Sequence, residues 1–508
     1  MKKVSKKAGR PAASQSWVQQ QPELFSSRSE IKREVSRALR AGLIRRLAPR
    51  LYTRNLSDPP ETLIRRHVWD AIAALSPAGA VVSHRTAFEG QPSGSGDVWL
   101  TASYPRVIRV PGLTIHLVAG HGRLPGDMPY AGTLVLASQA RHLLENLLPT
   151  RTRGGSRRAV GRADVEERLE TVLRSQGEAG LNRLRDQARD LAPALKAQEA
   201  FEDLDRVIGS LLGTRAAKAA GPLLRARQAG IPYEPRAIRR VDLLVADLLR
   251  AVPGDRPDST RSGPAWDNLA FFDAYFSNYI EGTTFEVDEA EGIVFKGQIP
   301  DRRPDDAHDV LGTYRFVCDA GEMERGIADL PSTDAVLERI RRCNATILQG
   351  RPDMRPGSWK TEPNRAGESH FVPPDLVEGT LVAGLERIRG LPAPMQRACG
   401  LMFLLTEVHP FQDGNGRVAR ALMNAELVAG GQRRILIPTV YREDYLGALR
   451  ELTRRDRPGL LLPMLERAQE VTAAIDFADL GAAREALARA NAFRDWQEAR
   501  LRIPAMMR

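Results

Sequence analysis

Cysteine is scarce: Cys318, Cys343 and Cys399 are the only three in 508 residues, and none falls in a Cys-x-x-Cys spacing. So sparse and odd a set excludes a disulfide framework and a structural zinc site, and leaves reduced fillers on helices. Long apolar runs are missing as well. The best stretch, 398–408, is broken by Thr406 and Glu407, far short of the ~18 apolar residues of a membrane-spanning helix. The opening ten residues are basic with no apolar run behind them, so no secretory signal is expected, and the chain is read as cytoplasmic with no membrane partner. No internal repeat is found, and 42 Gly with 34 Pro do not reach a low-complexity composition. What remains is a globular chain, 42% hydrophobic and 27% charged, whose length predicts about three domains.

Charge is unevenly spread. Residues 1–60 hold five Lys and nine Arg against Glu23, Glu30, Glu34 and Asp58, which is nearly the whole formal excess of +11. Positive charge gathered at one end points to a polyanionic partner. Residues 1–22 are expected to be a loose basic tail. From Ser26 or Ser27 a helix is predicted with Ile31, Val35, Ala38 and Leu39 on its apolar face, stopped at Gly42. Residues 43–52 then read as two short strands about a tight turn. A cationic helix followed by a basic hairpin is the layout of a winged helix-turn-helix over 23–58. Arg28, Lys32, Arg33, Ser36 and Arg37 would face the major groove of duplex DNA, with Arg45, Arg46, Arg50 and Arg54 on the wing. The competing reading is a solvated basic helix packed on the next domain.

Beyond it, short β-type runs alternate with helices over 59–150, a small α/β domain, and the Arg-rich stretch 151–162 reads as a linker into a helical connector reaching 250. The runs EIKREVSRALRAGLIRRLAPRLYTR, AVVSHRTAFEG and TLVLASQARHLLENLL resemble antitoxins of the abortive-infection AbiEi type over about 21–149. That resemblance implies a DNA-binding front end. The remainder is expected to be all-α over 251–477, with a final helix in 478–508, so the whole chain is multidomain and mainly α.

The chemistry is concentrated at 409–420, His-Pro-Phe-Gln-Asp-Gly-Asn-Gly-Arg-Val-Ala-Arg. The apolar residues 395–408 predict a buried helix that ends at His409, because Pro410 disfavours helical dihedrals before it. Asp413-Gly414-Asn415-Gly416 is a tight turn able to aim backbone N–H groups at phosphate oxygens, and the helix opening near Gly416 adds its positive end. Arg417 and Arg420, three apart, lie on one face of that helix. The string matches the signature HxFx(D/E)GNGRxxR of Fic domains at every defined position. The resemblance implies an all-helical fold over about 251–477 that moves AMP from ATP onto a Ser, Thr or Tyr hydroxyl of a target protein. It also implies His409 as the base and Asp413 as the ligand of Mg²⁺. Gly414, Asn415, Gly416 and Arg417 would form the phosphate cradle, with Arg420 at the γ-phosphate and Phe411 an anchor in the core.

Two further features follow from the same resemblance. Residues 356–374 are expected to form a β-hairpin flap that aligns an extended target segment, with Lys360 and Thr361 in its first strand. Ser277-Asn278-Tyr279-Ile280-Glu281-Gly282 resembles the inhibitory (S/T)xxxE(G/N) pattern of self-restrained Fic proteins, which implies that Ser277, Glu281 and Gly282 keep ATP out of a productive pose by engaging Arg420. The same Glu could support removal of AMP from the target. Other readings stay open: a DNA-binding regulator whose Fic fold only senses nucleotide, or transfer of a different phosphoryl group. A homodimer is compatible with all of them.

Overall fold

The structure is a computed structural model and describes residues 10–27, 29–150, 157–367 and 369–504. It divides into two compact units, Met1–Gln228 and Ala229–Arg508. The chain is mainly helical, with its larger sheet in the first unit. Among the described residues no helix is long and apolar enough to cross a membrane.

The first unit opens with α1 (Arg10–Gln19), β1 (Leu24–Ser26), α2 (Lys32–Arg40), β2 (Arg45–Ala48) and β3 (Leu51–Thr53). Val18, Phe25, Val35, Ala38 and Ile44 close a small core between them. The loose tail expected over 1–22 is thus corrected in part: α1 is helical and its Val18 is buried, since Trp17 and Val18 supply apolar surface that α2 alone cannot cover. The hairpin β2–β3 gains a third strand by antiparallel pairing of β1 with β3, in the order β1-β3-β2. A three-residue strand has too short a period to announce itself in sequence.

Next come α3 (Pro60–Arg66), α4 (Val68–Leu75), β4 (Val81–Val82), α5 (His84–Glu89), β5 (Asp97–Ala102), β6 (Arg106–Val110), β7 (Leu113–Ala119), β8 (Met128–Pro129), β9 (Val135–Leu136) and α6 (Gln139–Leu147). The six strands form one mixed sheet, β6-β7-β5-β4-β9-β8, with β5–β7 and β4–β9 parallel. Val82, Val98, Leu100, Ile115 and Leu117 from the sheet meet Ile64, Ala71 and Ile72 from α3 and α4. Residues 151–156 of the expected linker lie outside the described residues. Three helices complete the unit: α7 (Arg162–Leu195), kinked at Gly177, α8 (Gln198–Leu211) and α9 (Pro222–Gln228).

The second unit begins at Ala229, before the boundary expected at 251. The reason is α10 (Pro235–Leu248), whose buried Ala237, Val241, Leu244 and Leu248 belong to the core of this unit. The helices α11 (Pro264–Ile280), α12 (Val287–Lys296), α13 (Pro304–Cys318), α14 (Ala320–Met323) and α15 (Thr333–Ile347) follow. A two-stranded hairpin, β10 (Arg365–Ala366) and β11 (Ser369–His370), precedes α16 (Val377–Ile388), α17 (Pro394–Val408) and α18 (Asn415–Ala429). The unit ends with α19 (Arg442–Arg455), α20 (Leu461–Ala473) and α21 (Leu480–Arg489).

At its centre α17 and α18 are buried almost all round, the pattern of helices enclosed by other helices. Leu401, Phe403, Leu404, Leu405 and Val408 are each at most 1% exposed, and burying a side chain of that size contributes ~1.5–3 kcal/mol. The His409–Gly414 loop between two such helices is therefore held at both ends. The final helix expected over 478–508 is limited to α21, which joins a second core with Phe272, Phe276 and Phe477.

Candidate active site

His409 ends α17 in a left-handed conformation, φ 50°, as expected of a residue that Pro410 bars from the helix. Its Nδ1 lies 2.8 Å from the Thr406 carbonyl, which can only accept, so Nδ1 carries the hydrogen and Nε2 the free lone pair. Burial pushes the imidazole down to about 4, against the Thr406 contact and the Glu281 charge, which pull upward. The ring stacks on Phe371, next after the hairpin, with centroids 3.6 Å apart and planes within 4°. At neutral pH the group is an uncharged, oriented base.

The turn that follows is built to present its backbone. Gly414 takes φ 77°, and its N–H donates to Asp413 Oδ1 at 2.6 Å. Asn415 departs from the expected cradle in one respect. Its Oδ1 accepts from Phe411 N at 2.8 Å and its Nδ2 donates to Phe411 O at 2.9 Å, so the side chain clamps the loop and is not free for a ligand. The first-turn N–H groups of α18, Asn415 to Arg417, have no partner within the helix. At Gly416 an added methyl would overlap the Glu281 carboxylate, so this backbone is in direct reach of an anion.

That anion comes from α11. Arg420 donates from Nη2 to Glu281 Oε1 at 2.6 Å and to the Ser277 carbonyl at 2.9 Å, and from Nε to Ser277 Oγ at 3.0 Å. The guanidinium is 5.8 Å from the Tyr445 ring centroid. Gly282 follows Glu281 with φ 96°, which lets the chain leave α11. Burial alone would push Glu281 up, but Arg420 overrides it and holds the carboxyl below its ordinary range. The geometry therefore brings Ser277, Glu281, Gly416 and Arg420 together, with 139 positions between Glu281 and Arg420.

Asp413 keeps 40% of its side chain exposed, with Oδ2 3.3 Å from Arg417 Nη2. Among the described residues no cluster of three or more His, Cys, Asp or Glu could hold a metal alone. A lone, half-exposed carboxylate suits Mg²⁺ only if substrate oxygens complete the shell, as nucleotide phosphates do.

Lys360 and Thr361 are not in the hairpin strands, which begin at Arg365. Lys360 turns inward instead, 5% exposed, with Nζ donating to Asn364 Oδ1 at 2.7 Å and to the Val408 carbonyl at 3.3 Å; burial pushes it down to about 8. Thr361 is exposed and accepts from Arg355 at 2.9 Å. The segment 356–364 braces the His409–Gly414 loop through one backbone and one side-chain contact, with Lys360 N donating to Pro410 O and Asn364 Nδ2 to Phe411 O, and only a short hairpin follows it. Sequence reasoning missed Phe371, Asn344, Asp309 and Arg351. Asn344 donates to the Asp413 carbonyl at 3.0 Å and accepts from Gly357 N at 2.9 Å. Asp309 pairs with both Arg417 and Arg351. None of these lies in a local pattern that distinguishes it from its neighbours.

In the first unit the side chains of Lys32, Arg33 and Arg37 are exposed on α2 and make no hydrogen bond or ion pair among the described residues. Arg46 and Arg50 are exposed on the hairpin and Arg54 just beyond it. The Ser36 hydroxyl is taken by the Lys32 carbonyl, and Arg45 turns inward, donating to Asp58 O at 2.6 Å, so neither matches the expected groove or wing role. Arg28 lies outside the described residues.

The profile of the Fic/DOC family matches residues 334–427. Protein adenylyltransferase fic-1 of Caenorhabditis elegans is 28% identical over 188 residues, 35% of this chain and 36% of that protein. Protein adenylyltransferase Fic of Nematostella vectensis is 28% identical over 294 residues, 54% of this chain and 66% of that protein. A solved structure of Fic-1 from C. elegans shares 20% identity, covers 61% of this chain and 89% of that one, and has a TM-score of 0.34. The chain thus spans from about a third to two-thirds of the length of these curated relatives. Over residues 334–427, the stretch that contains His409, Asp413, Arg417 and Arg420, the chain carries a Fic domain.

Proposed function

We propose that the second unit is a protein adenylyltransferase, which moves AMP from ATP to a Ser, Thr or Tyr hydroxyl of another protein. The observation that carries this reading is the orientation of His409, with Nδ1 committed to Thr406 and Nε2 open beside a phosphate-binding turn. Nε2 takes the proton of the target hydroxyl as its oxygen bonds to the α-phosphorus, and the bond from that phosphorus to the bridging oxygen breaks to release pyrophosphate. The first-turn amides of α18 and Arg417 meet the phosphates. Asp413 is the residue that would hold Mg²⁺, which would supply charge neutralisation. The hairpin 365–370 offers backbone groups to an extended target segment.

Glu281 is the brake on this activity. It occupies Arg420 and covers Gly416, where the terminal phosphate would sit, so ATP bound beside it is out of line for attack. Glu281→Gly is expected to raise labelling by ATP tagged at the α-phosphate, self-labelling included, and adding His409→Ala to abolish it. Equal labelling by the native chain and Glu281→Gly overturns the brake. Labelling that survives His409→Ala overturns the mechanism.

For the first unit we propose duplex DNA as partner. The favouring observation is that the side chains of Lys32, Arg33 and Arg37 stand exposed on α2 and form no ion pair among the described residues, even with the neighbouring Glu30 and Glu34. Binding by the full chain that falls steeply with salt supports it, and no complex at low salt removes it.

A further inference from the structure

Arg351 has no part in the reading above, yet it stands on the rim of the phosphate turn. It follows α15, keeps 15% of its side chain exposed, and places Nη1 3.4 Å from Asp309 Oδ2 and 3.9 Å from Asp413 Oδ2. Arg417 contacts the same two acids, with Nη1 on Asp309 Oδ2 and Nη2 3.3 Å from Asp413 Oδ2. Two carboxylates and two guanidinium groups thus alternate around one small ring. Asp309 is 4% exposed at the side chain, and its Oδ1 has no hydrogen-bond partner. The Nε atoms of Arg351 and Arg417 are also buried without one.

A buried carboxylate touching Arg417 conflicts with a phosphate cradle. One acid against one guanidinium cancels, and nothing is left to attract a polyanion. Arg351 removes the conflict. When Asp413 turns to a cation, Asp309 faces two guanidinium groups by itself, and the rim keeps one net positive charge. The two exposed acids near Arg351, Asp305 and Asp353, each lie 3.8 Å from its Nε, beyond hydrogen-bond length and screened by water. Each guanidinium keeps donor capacity that its acids do not use, and phosphate oxygens are acceptors that can take it up.

We infer that Arg351 is a third phosphate-binding cation of this site, and that Asp309 is the positioning residue that holds Arg351 and Arg417 at the rim. The inference rests on the nucleotide-transfer reading, so its test separates binding from transfer. The full chain carrying Glu281→Gly is titrated calorimetrically with Mg·ATP and with adenosine, which lacks the phosphates. Arg351→Gln is expected to weaken Mg·ATP by roughly tenfold, a typical loss for a charge-assisted contact, and to leave adenosine unchanged. Arg351→Lys recovers part of the loss, because charge returns without the fork. In steady state KM for ATP rises by the same factor while kcat moves less. With Asp309→Asn already present, Arg351→Gln costs less than it does alone, since the two act as one unit.

Unaltered Mg·ATP affinity in a folded Arg351→Gln protein overturns the inference, as does an equal loss for adenosine, which marks a merely structural side chain. Additive effects in the cycle with Asp309→Asn overturn the positioning role. Transfer that proceeds without any Arg351 effect defeats this inference alone. If the Glu281→Gly chain neither binds Mg·ATP nor transfers AMP, the reading beneath it falls.

Discussion

Arg420 in the helical unit is 4% exposed at its side chain and spends its donors on Ser277 and Glu281, whereas Arg37 on α2 stands in water with no partner among the described residues. Both are read as phosphate contacts, yet they wait for phosphate in opposite ways. A buried guanidinium cannot be left without a counter-charge, so a phosphate site built around one needs an internal anion until the ligand arrives. Seen in this way, Glu281 answers a need of Arg420, whatever restraint it is proposed to exert. An exposed guanidinium has no such need. Water and counterions satisfy it, and release of those ions on contact with a polyanion provides the driving force. The same residue type thus gives a switch when buried and a salt-dependent contact when exposed.

The sharpest way to break this comparison is to delete each arginine in turn. In the Glu281→Gly background, Arg420→Ala is expected to lower AMP transfer by ~10²-fold or more, in the range seen when a preorganised charge contact is removed. In the otherwise native chain the same change leaves Glu281 without its cation. The resulting loss is about 2 kcal/mol, below the value for fully buried pairs because Glu281 retains 36% exposure. Thermal denaturation of the second unit would then fall by several degrees. Arg37→Ala should change neither transfer nor melting temperature. Similar losses of stability at both positions would erase the distinction.

A smaller effect sharpens the exposed side of the comparison. Replacing Arg33 and Arg37 with Ala together should weaken duplex DNA binding by roughly tenfold and reduce the salt slope by about two. Arg45→Ala should do less, because its Nη2 is committed to the Asp58 carbonyl 2.6 Å away. Fluorescence anisotropy at several salt concentrations reads all three slopes. A larger effect at Arg45 than at Arg33 and Arg37 would show that the hairpin, and not α2, meets the phosphates.

What could be read from sequence follows the range of the interactions. The helix–loop–helix about His409 was legible because a contiguous string sets it: an apolar run, a proline, a glycine turn and two arginines three apart. The Glu281–Arg420 pair spans 139 positions and could be anticipated only from the resemblance of 277–282 to an inhibitory pattern. Lys360 falls outside the strand that the resemblance implied, because a family pattern does not say whether a side chain turns to a neighbouring carbonyl, here that of Val408. Asp309 sits among Asp305 and Asp306 on α13, and only packing of α13 against α18 singles it out for Arg417. In the first unit the six-stranded order joins β4 to β9 and β5 to β7 by crossovers, and two-residue strands carry no readable period.

The least disruptive test concerns the proton rather than a contact. Burial pushes His409 from its ordinary 6.5 to about 4, while Glu281 acts upward and Lys360 downward. Between those values the unfolded chain holds a proton that the folded chain does not, so stability declines as pH drops from 6.5 towards 4 and is full above that window. The base is neutral over the same range. In the Glu281→Gly chain the upward influence is gone, and the acid limb of kcat/KM should lie at or below pH 4, with a flat profile from pH 5 to about 7.5. Lys360→Met removes the downward neighbour and should move the limb higher while leaving the plateau within about twofold, since its contacts with Asn364 and Val408 brace the loop without touching the reacting atoms. A limb near 6.5 in the Glu281→Gly chain would mean that His409 titrates as an exposed imidazole. It would then lack the buried setting, stacked on Phe371 and fixed by Thr406, that keeps it an oriented neutral base.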